Sequence, residues 1–177
     1  MFSSNDQDND ARLTKAFWKA IDDSPFMMLG LSGVADDQTC PMTAQVDVPA
    51  GGHEEDGGPI YFFASKSDGV GRNLAGSPRA VAAYAAKGHS LFAHVHGTLS
   101  PSNDRAVIDR LWNPFVASWY NEGKDDPDLL LLRFDTERAT IWEAEEGSTL
   151  KAAALRALFK VDPGKERGKE HKADVTL

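Results

Sequence analysis

Three of the chain's five histidines fall within eight residues, in the stretch KGHSLFAHVHGTLS from Lys87 to Ser100. His94 and His96 are two apart, the spacing that puts both imidazoles on one face of a strand. A His-x-His pair can hold zinc, but a zinc site needs at least a third protein ligand. His89 has the opposite parity and faces the other way. His53, Glu54 and Glu55 belong to a loop that nothing in the sequence ties to the pair. The simpler reading puts His94 and His96 on the polar side of a half-buried strand or at a subunit interface, and no metal site is expected. A second candidate is SKSDGVGR, residues 65–72. It combines hydroxyls, glycines, Lys66 and Arg72 directly after an apolar run. Such a segment can cradle phosphate through backbone N–H groups and a basic side chain. Its glycine spacing is neither that of a P-loop nor that of a dinucleotide fingerprint, so an ordinary turn is the competing reading. Third, Trp112, Phe115, Trp119 and Tyr120 surround Pro114. Their spacing leaves open core packing, a dimer surface, or a wall for a planar ligand. No nucleophile–base pair and no GxSxG elbow is present. Paired carboxylates occur only in polar loops. If the chain is an enzyme, a cofactor carries the chemistry.

The elements that must position these residues follow from periodicity. Residues 1–9 are polar and acidic and read as a flexible arm. Leu13, Phe17 and Ile21, with Ala16 and Ala20, predict an amphipathic helix capped by Asn9 or Asp10 and ended by Ser24-Pro25. FMMLGLSG reads as a strand and ADDQ as its turn. TCPMTAQVDV then alternates, with Cys40, Met42, Ala44, Val46 and Val48 on one face, and Pro41 at a strand start or edge. Residues 49–59 form a glycine-rich acidic loop, followed by the strand IYFFAS and a short helix or irregular turn over SDGVGRNLAGS. RAVAAYAA is a strand and Lys87-Gly88 a hairpin turn. In the next strand Leu91, Ala93, Val95, Gly97 and Leu99 share one face; Phe92, His94, His96 and Thr98 share the other. Ser100-Pro101-Ser102 opens a second helix through Val107, Ile108, Leu111 and Trp112, which Asn113-Pro114 breaks. FVASWY adds another turn or two, and NEGKDDPD is a polar loop. LLLLRF and RATIWEAE read as two separate strands. Ser148 caps a last helix with Leu150, Leu155, Leu158 and Phe159. The chain thus divides into an arm (1–9), one domain (10–160) and a charged tail (161–177) whose final VTL can dock. The links are short, which favours antiparallel pairing. About six strands in a small antiparallel barrel with peripheral helices is the expected architecture.

Composition bounds the function. A chain of 177 residues that is 41% hydrophobic suits one domain with a real core, and a charged share of 26% argues against wholesale disorder. The formal net charge of −8 gives no general attraction to nucleic acid or anionic membrane, so neither partner is expected. Cys40 is the sole cysteine, which excludes an intramolecular disulfide and a thiolate metal cluster. The N-terminus lacks the basic and apolar regions of a signal peptide, and the apolar runs are too short to span a bilayer. Cytoplasmic location is the expectation.

The segment LWNPFVASWYNEGKDDPDLLLLRFDTERATIWEAE, residues 111–145, closely resembles one typical of bacterial general stress proteins of the pyridoxamine 5′-phosphate oxidase-like, flavin-binding split-barrel group. LWNP, the Trp119-Tyr120 pair, GKDDPD and the leucine run are its most telling parts. Upstream, FWKAIDDSPFMMLGL, CPMTAQ, IYFFASKS and KGHSLFAHVHGTLS are similar to that group's first helix and strands. The likeness runs from about residue 10 to 160. It implies a six-stranded, Greek-key split barrel that forms a homodimer, with FMN, or alternatively FAD, in clefts at the subunit interface. Carried over by position, Met42, Thr43, Phe63, Ala64, Ser65, Lys66 and Val70 would contact the cofactor. Phe92 would lie near the flavin edge, and Trp112 would approach from the partner. Cys40 and Val70 stand where relatives often carry basic residues, and Lys66, Arg72, Lys87 or His89 are the candidates to compensate. The strand of His94 and His96 would border the cleft and the interface, and one of the two could be pH-sensitive there. GKERGKEHKADVTL does not reproduce the arginine–histidine pair of true pyridoxamine phosphate oxidases, so vitamin B6 oxidation is not expected. The resemblance implies a flavin-dependent oxidoreductase with NAD(P)H as a candidate donor. The alternatives are a non-catalytic flavin carrier or sensor, and a dimeric interaction module without flavin.

Overall fold

Alternation along the apolar runs builds strands whose inner faces make one core. The structure, a computed structural model, describes residues 4–34, 39–47, 57–67, 69–76, 78–144 and 172–177. Its strands are β1 (Phe26–Leu31), β2 (Cys40–Thr43), β3 (Gln45–Val46), β4 (Ile60–Ser65), β5 (Arg79–Ala85), β6 (Leu91–Ser102), β7 (Leu129–Glu143) and β8 (Lys172–Thr176). The helices are α1 (Ser4–Asp23), α2 (Gly69–Arg72), α3 (Arg105–Leu111) and α4 (Pro114–Ala117). All described pairings are antiparallel, in the order β2-β1-β5-β6-β7-β4-β3, with β8 added on β7. β2 and β3 stand at opposite ends of that path yet are separated only by Ala44, so the sheet curls round on itself. The chain is mainly β, an antiparallel curled sheet with a few helices, as the split-barrel reading requires. β1 pairs with β5, and β4 with β7, the non-local pairings of a Greek-key path.

The expected faces are borne out. Leu91, Ala93, Val95 and Leu99 of β6 are buried with Ala80, Ala82 and Tyr84 of β5. Cys40, Met42 and Val46 pack against the core around buried Ala44; Val48 lies outside the described residues. The four-leucine run is buried on both sides of β7. Leu130, Leu132 and Phe134 belong to the main core, while Leu129 and Leu131 join a second cluster with Tyr61, Val107 and Ile108. α3 therefore covers the outer face of β4 and β7. A run without alternation is what a strand packed on both faces requires.

Four expectations are corrected. α1 begins at Ser4, so the arm proposed for 1–9 is largely helix, and Asn9 and Asp10 are inside it. An acidic segment suits a helix start, where carboxylates meet the positive end of the dipole. The helix does end before Ser24, and Leu13, Phe17 and Ile21 are fully buried together with Trp18. The two strands predicted over 129–145 are one, β7. The β6–β7 register shifts between His96 and Gly97, leaving Glu137 as the extra residue of a bulge that carries the strand through the polar DTE. A Cβ on Gly97 would lie 2.1 Å from the Asp135 carbonyl oxygen, so only glycine allows this approach. The second helix starts at Arg105, not Ser100. Ser100–Ser102 still pair with β7, and the Asp104 carboxylate caps α3 by accepting from the N–H groups of Ala106 (3.0 Å) and Val107 (3.3 Å). Finally, the charged tail is not wholly separate from the domain: residues 172–176 form β8 on β7, with Ala173 and Val175 buried, so the final VTL does dock as expected. The helix predicted after Ser148 lies outside the described residues.

Candidate functional site

The end of β4, β2 and the start of α2 form one side of a cleft of about 590 Å3. Met42 and Thr43 come from β2, Phe63, Ala64 and Ser65 from β4, and Val70 from α2. These are six of the nine residues singled out from the sequence, brought together across a separation of almost thirty positions. The opposite wall is the segment after α3. Asn113 caps α4 by accepting from the N–H groups of Phe115 (3.0 Å) and Val116 (3.1 Å), with Pro114 at the first helical position. That turn presents Phe115, Val116, Trp119 and Tyr120 to the cleft. The Tyr120 hydroxyl donates to the Ala64 carbonyl at 2.9 Å and ties the two walls together. Burial first, then Asp128 and Asp126, push the Tyr120 phenol up to about 12, so it stays protonated through neutral pH.

The polar end of the cleft is the Ser65–Ser67 turn. The Ser67 N–H donates to Asp128 Oδ1 at 2.9 Å and the Ser67 hydroxyl to Oδ2 at 2.9 Å. The Ser65 hydroxyl donates to the same Oδ2. Lys66 Nζ donates to the Pro127 carbonyl at 2.6 Å. The Ser65 hydrogen bond, followed by the two from Ser67 and the charge of Lys66, holds the Asp128 carboxyl below its ordinary range. The loop that carries Asp128 is pinned to α3 by Lys124–Asp109 (2.6 Å) and Arg105–Asp125 (2.8 Å). Sequence reasoning read this loop, NEGKDDPD, as solvated and missed Asp128. The signal available was its place directly before β7, whose first residue, Leu129, pairs with Ser65.

The remaining sequence candidates lie elsewhere. Trp112 packs edge-on against Phe63, with ring centroids 5.7 Å apart, behind the cleft wall. Phe92 is at the far end of β6, opposite Ala85 and Trp142, and its ring stacks on His89. Lys87 and His89 form the turn at that same end, remote from Ser65. Val70 is 3% exposed and belongs to the core, so its position is not a solvent-facing one that lost a cation. Cys40 lines the cleft beside Gly69.

His94 and His96 lie on the outer face of β6, away from this cleft, with rings 4.5 Å apart. Among the described residues no group of three metal-ligating side chains forms. Burial first, then Arg138, His94 and Arg79, lower the His96 pKa from 6.5. A neutral imidazole favoured by folding adds stability above that ordinary value, and the contribution is lost as pH falls below it. Melting temperature is therefore expected to drop slightly between about pH 6.5 and 5, and His96→Gln to flatten that part of the profile in a calorimetric pH series.

The pyridoxamine 5′-phosphate oxidase like family matches this chain over residues 13–163. No curated protein matches it. Three solved structures are similar. A protein assigned to the general stress family from Xanthomonas campestris pv. campestris is 46% identical, with TM-score 0.67, over 77% of this chain and 90% of that one. The general stress FMN/FAD binding protein of Xanthomonas citri is 45% identical, with TM-score 0.68, over 77% of this chain and 92% of that one. A protein assigned as general stress protein 26 from Jannaschia sp. CCS1 is 30% identical, with TM-score 0.74, over 94% and 99%.

Proposed function

The chain belongs to the pyridoxamine 5′-phosphate oxidase-like family, and from that premise we propose that it is a flavin-binding general stress protein acting as a flavin-dependent oxidoreductase. The cofactor is FMN, with FAD as the alternative, and it lies in the cleft between β2, β4, α2 and α4. One observation carries the reading: an apolar, aromatic-walled cleft ends in a turn whose donors already hold an anion. That donor set, two serine hydroxyls and a backbone N–H beside Lys66, has the chemistry a phosphate needs. The Xanthomonas citri relative, an FMN/FAD binding protein, supports the same assignment.

When bound, a flavin supplies the electron-accepting ring and so the redox chemistry. Met42, Phe63 and Val70 give the ring apolar contact, and the exposed Phe115 and Trp119 border the opening. Tyr120 holds its proton and fixes the wall rather than moving charge. NAD(P)H is the proposed electron donor. The protein is proposed to work as a cytoplasmic homodimer, and the aromatic side chains of Phe92 and Trp142 exposed on the outer face suit a subunit contact. Among the described residues no helix is long and apolar enough to cross a membrane. Vitamin B6 oxidation is not proposed, since GKERGKEHKADVTL does not reproduce the arginine–histidine pair that the resemblance would require for it.

The test is an absorbance spectrum of freshly purified protein, with the cofactor then released by heat and identified chromatographically. Bands at about 370 and 450 nm are expected, the signature of an oxidised flavin. A colourless protein that takes up neither added FMN nor FAD would leave a dimeric interaction module as the function. Flavin without NAD(P)H oxidation would leave a carrier or sensor.

A further inference from the structure

The anion site of the cleft is filled from within the chain. Three donors, Ser65 Oγ, Ser67 N and Ser67 Oγ, converge on the single carboxylate of Asp128. The backbone on both sides is fixed. Lys66 N–H donates to the Asp128 carbonyl at 2.9 Å, and Asp128 N–H donates to the Asp126 carboxylate at 3.0 Å. Only the Asp128 side chain is therefore free to leave the turn. A phosphate and a carboxylate cannot both accept from the same three donors. If the carboxylate stays, it sits one hydrogen-bond length from where a phosphate would bind, and two like charges at that distance repel strongly. If it leaves, its own hydrogen bonds are lost. Asp126 lines the same end of the cleft and adds a second negative charge.

We propose that Asp128 selects the cofactor: its carboxylate competes with the phosphate of a bound flavin for the Ser65–Ser67 turn, and thereby lowers the preference of the cleft for FMN over riboflavin. The inference rests on the flavin reading above and adds to it the residue that sets its phosphate dependence. The Lys66 ammonium, the cation beside the turn, donates to the Pro127 carbonyl. The Asp128 carboxyl is held below its ordinary range by Ser65, then Ser67 and Lys66, so the competitor remains ionised at neutral pH.

The experiment compares FMN and riboflavin dissociation constants, read from quenching of flavin fluorescence at pH 7, for the native chain and for Asp128→Asn. Asparagine keeps the shape and an acceptor oxygen for the Ser67 N–H but removes the charge. Riboflavin has the same ring and no phosphate, so it reports ring binding and intact folding in the same protein. The ratio of riboflavin Kd to FMN Kd is expected to rise about tenfold in Asp128→Asn, with riboflavin affinity unchanged, and the gain to shrink in high salt. An unchanged ratio in a variant that binds both ligands overturns the proposal. Loss of both affinities in Asp128→Asn, with a lowered melting temperature, also overturns it and makes Asp128 a structural brace. If the native chain binds neither ligand, the flavin reading itself fails, and this inference falls with it.

Discussion

Replacing Gly71 with alanine is expected to destabilise the protein by about 3 kcal/mol and to weaken flavin uptake about tenfold, the upper part of the range for overpacking a filled site. A Cβ at this position would lie 2.0 Å from the Ser65 carbonyl oxygen and 2.9 Å from its carbonyl carbon. Both atoms are backbone, so no side-chain rotation relieves the clash; either α2 or the end of β4 must move. Both belong to the cleft. Val70 and Gly69 sit on α2, and Ser65 supplies one of the donors to the Asp128 carboxylate. For a domain of this size the stability loss corresponds to a fall in melting temperature of roughly 6 to 12 °C. Gly30→Ala is the matched comparison. The nearest atoms to its added Cβ all belong to the exposed Thr39 side chain, the hydroxyl at 2.8 Å and two carbons at 3.6 Å, which can give way, and the cost is expected to stay under about 1 kcal/mol. Thermal melts of the two variants, with flavin titrations alongside, separate a crowded site from a general intolerance of glycine replacement. A Gly71→Ala variant that melts with the native protein would mean that α2 does not pack on β4 as described.

Much of this arrangement is legible in the chain itself, for a physical reason. Strand faces are written at period two, and the 91–99 alternation gives the buried face of β6 residue by residue. The resemblance, through CPMTA and FFASKSDGV, points to Met42, Thr43, Phe63, Ala64, Ser65 and Val70, and all six line one cleft. What is not legible depends on contacts between segments distant in sequence. Nothing local distinguishes a strand that is bulged at Glu137 from two strands with a turn between them. The acidic run at residues 4–10 has the composition of an arm, and only the α1 stripe packed on the core makes it worth ordering as helix. Asp128 looks like one more solvated carboxylate in GKDDPD until the β4–β7 register puts it opposite the Ser65–Ser67 turn. Val70 looks like a departure from a basic pattern in the sequence, which does not show that its side chain is buried in the core.

The neighbouring pair Phe62 and Phe63 tests the division between core and cleft, because adjacent strand residues face opposite ways. Phe62 is fully buried in the main core, with its ring 6.4 Å from that of Phe134. Phe62→Ala is expected to cost about 3 to 5 kcal/mol, since the rigid sheet on either side cannot collapse into the space left behind. Its effect on the folded cleft should be small, as no atom of Phe62 lines it. Phe63 faces the other way, half-buried, edge-on to Trp112 in the second cluster and on the cleft wall. Phe63→Ala removes less buried area, so its stability cost is expected to be nearer 2 kcal/mol, while flavin affinity falls at least about tenfold with the lost ring contact. Denaturant unfolding gives the first quantity and flavin titration at a temperature well below both melts gives the second. The two variants should therefore cross over: the more damaging change for folding is the less damaging one for binding. Equal losses of affinity at both positions would show that flavin binding follows stability, and would remove this cleft as the place where the ring is held.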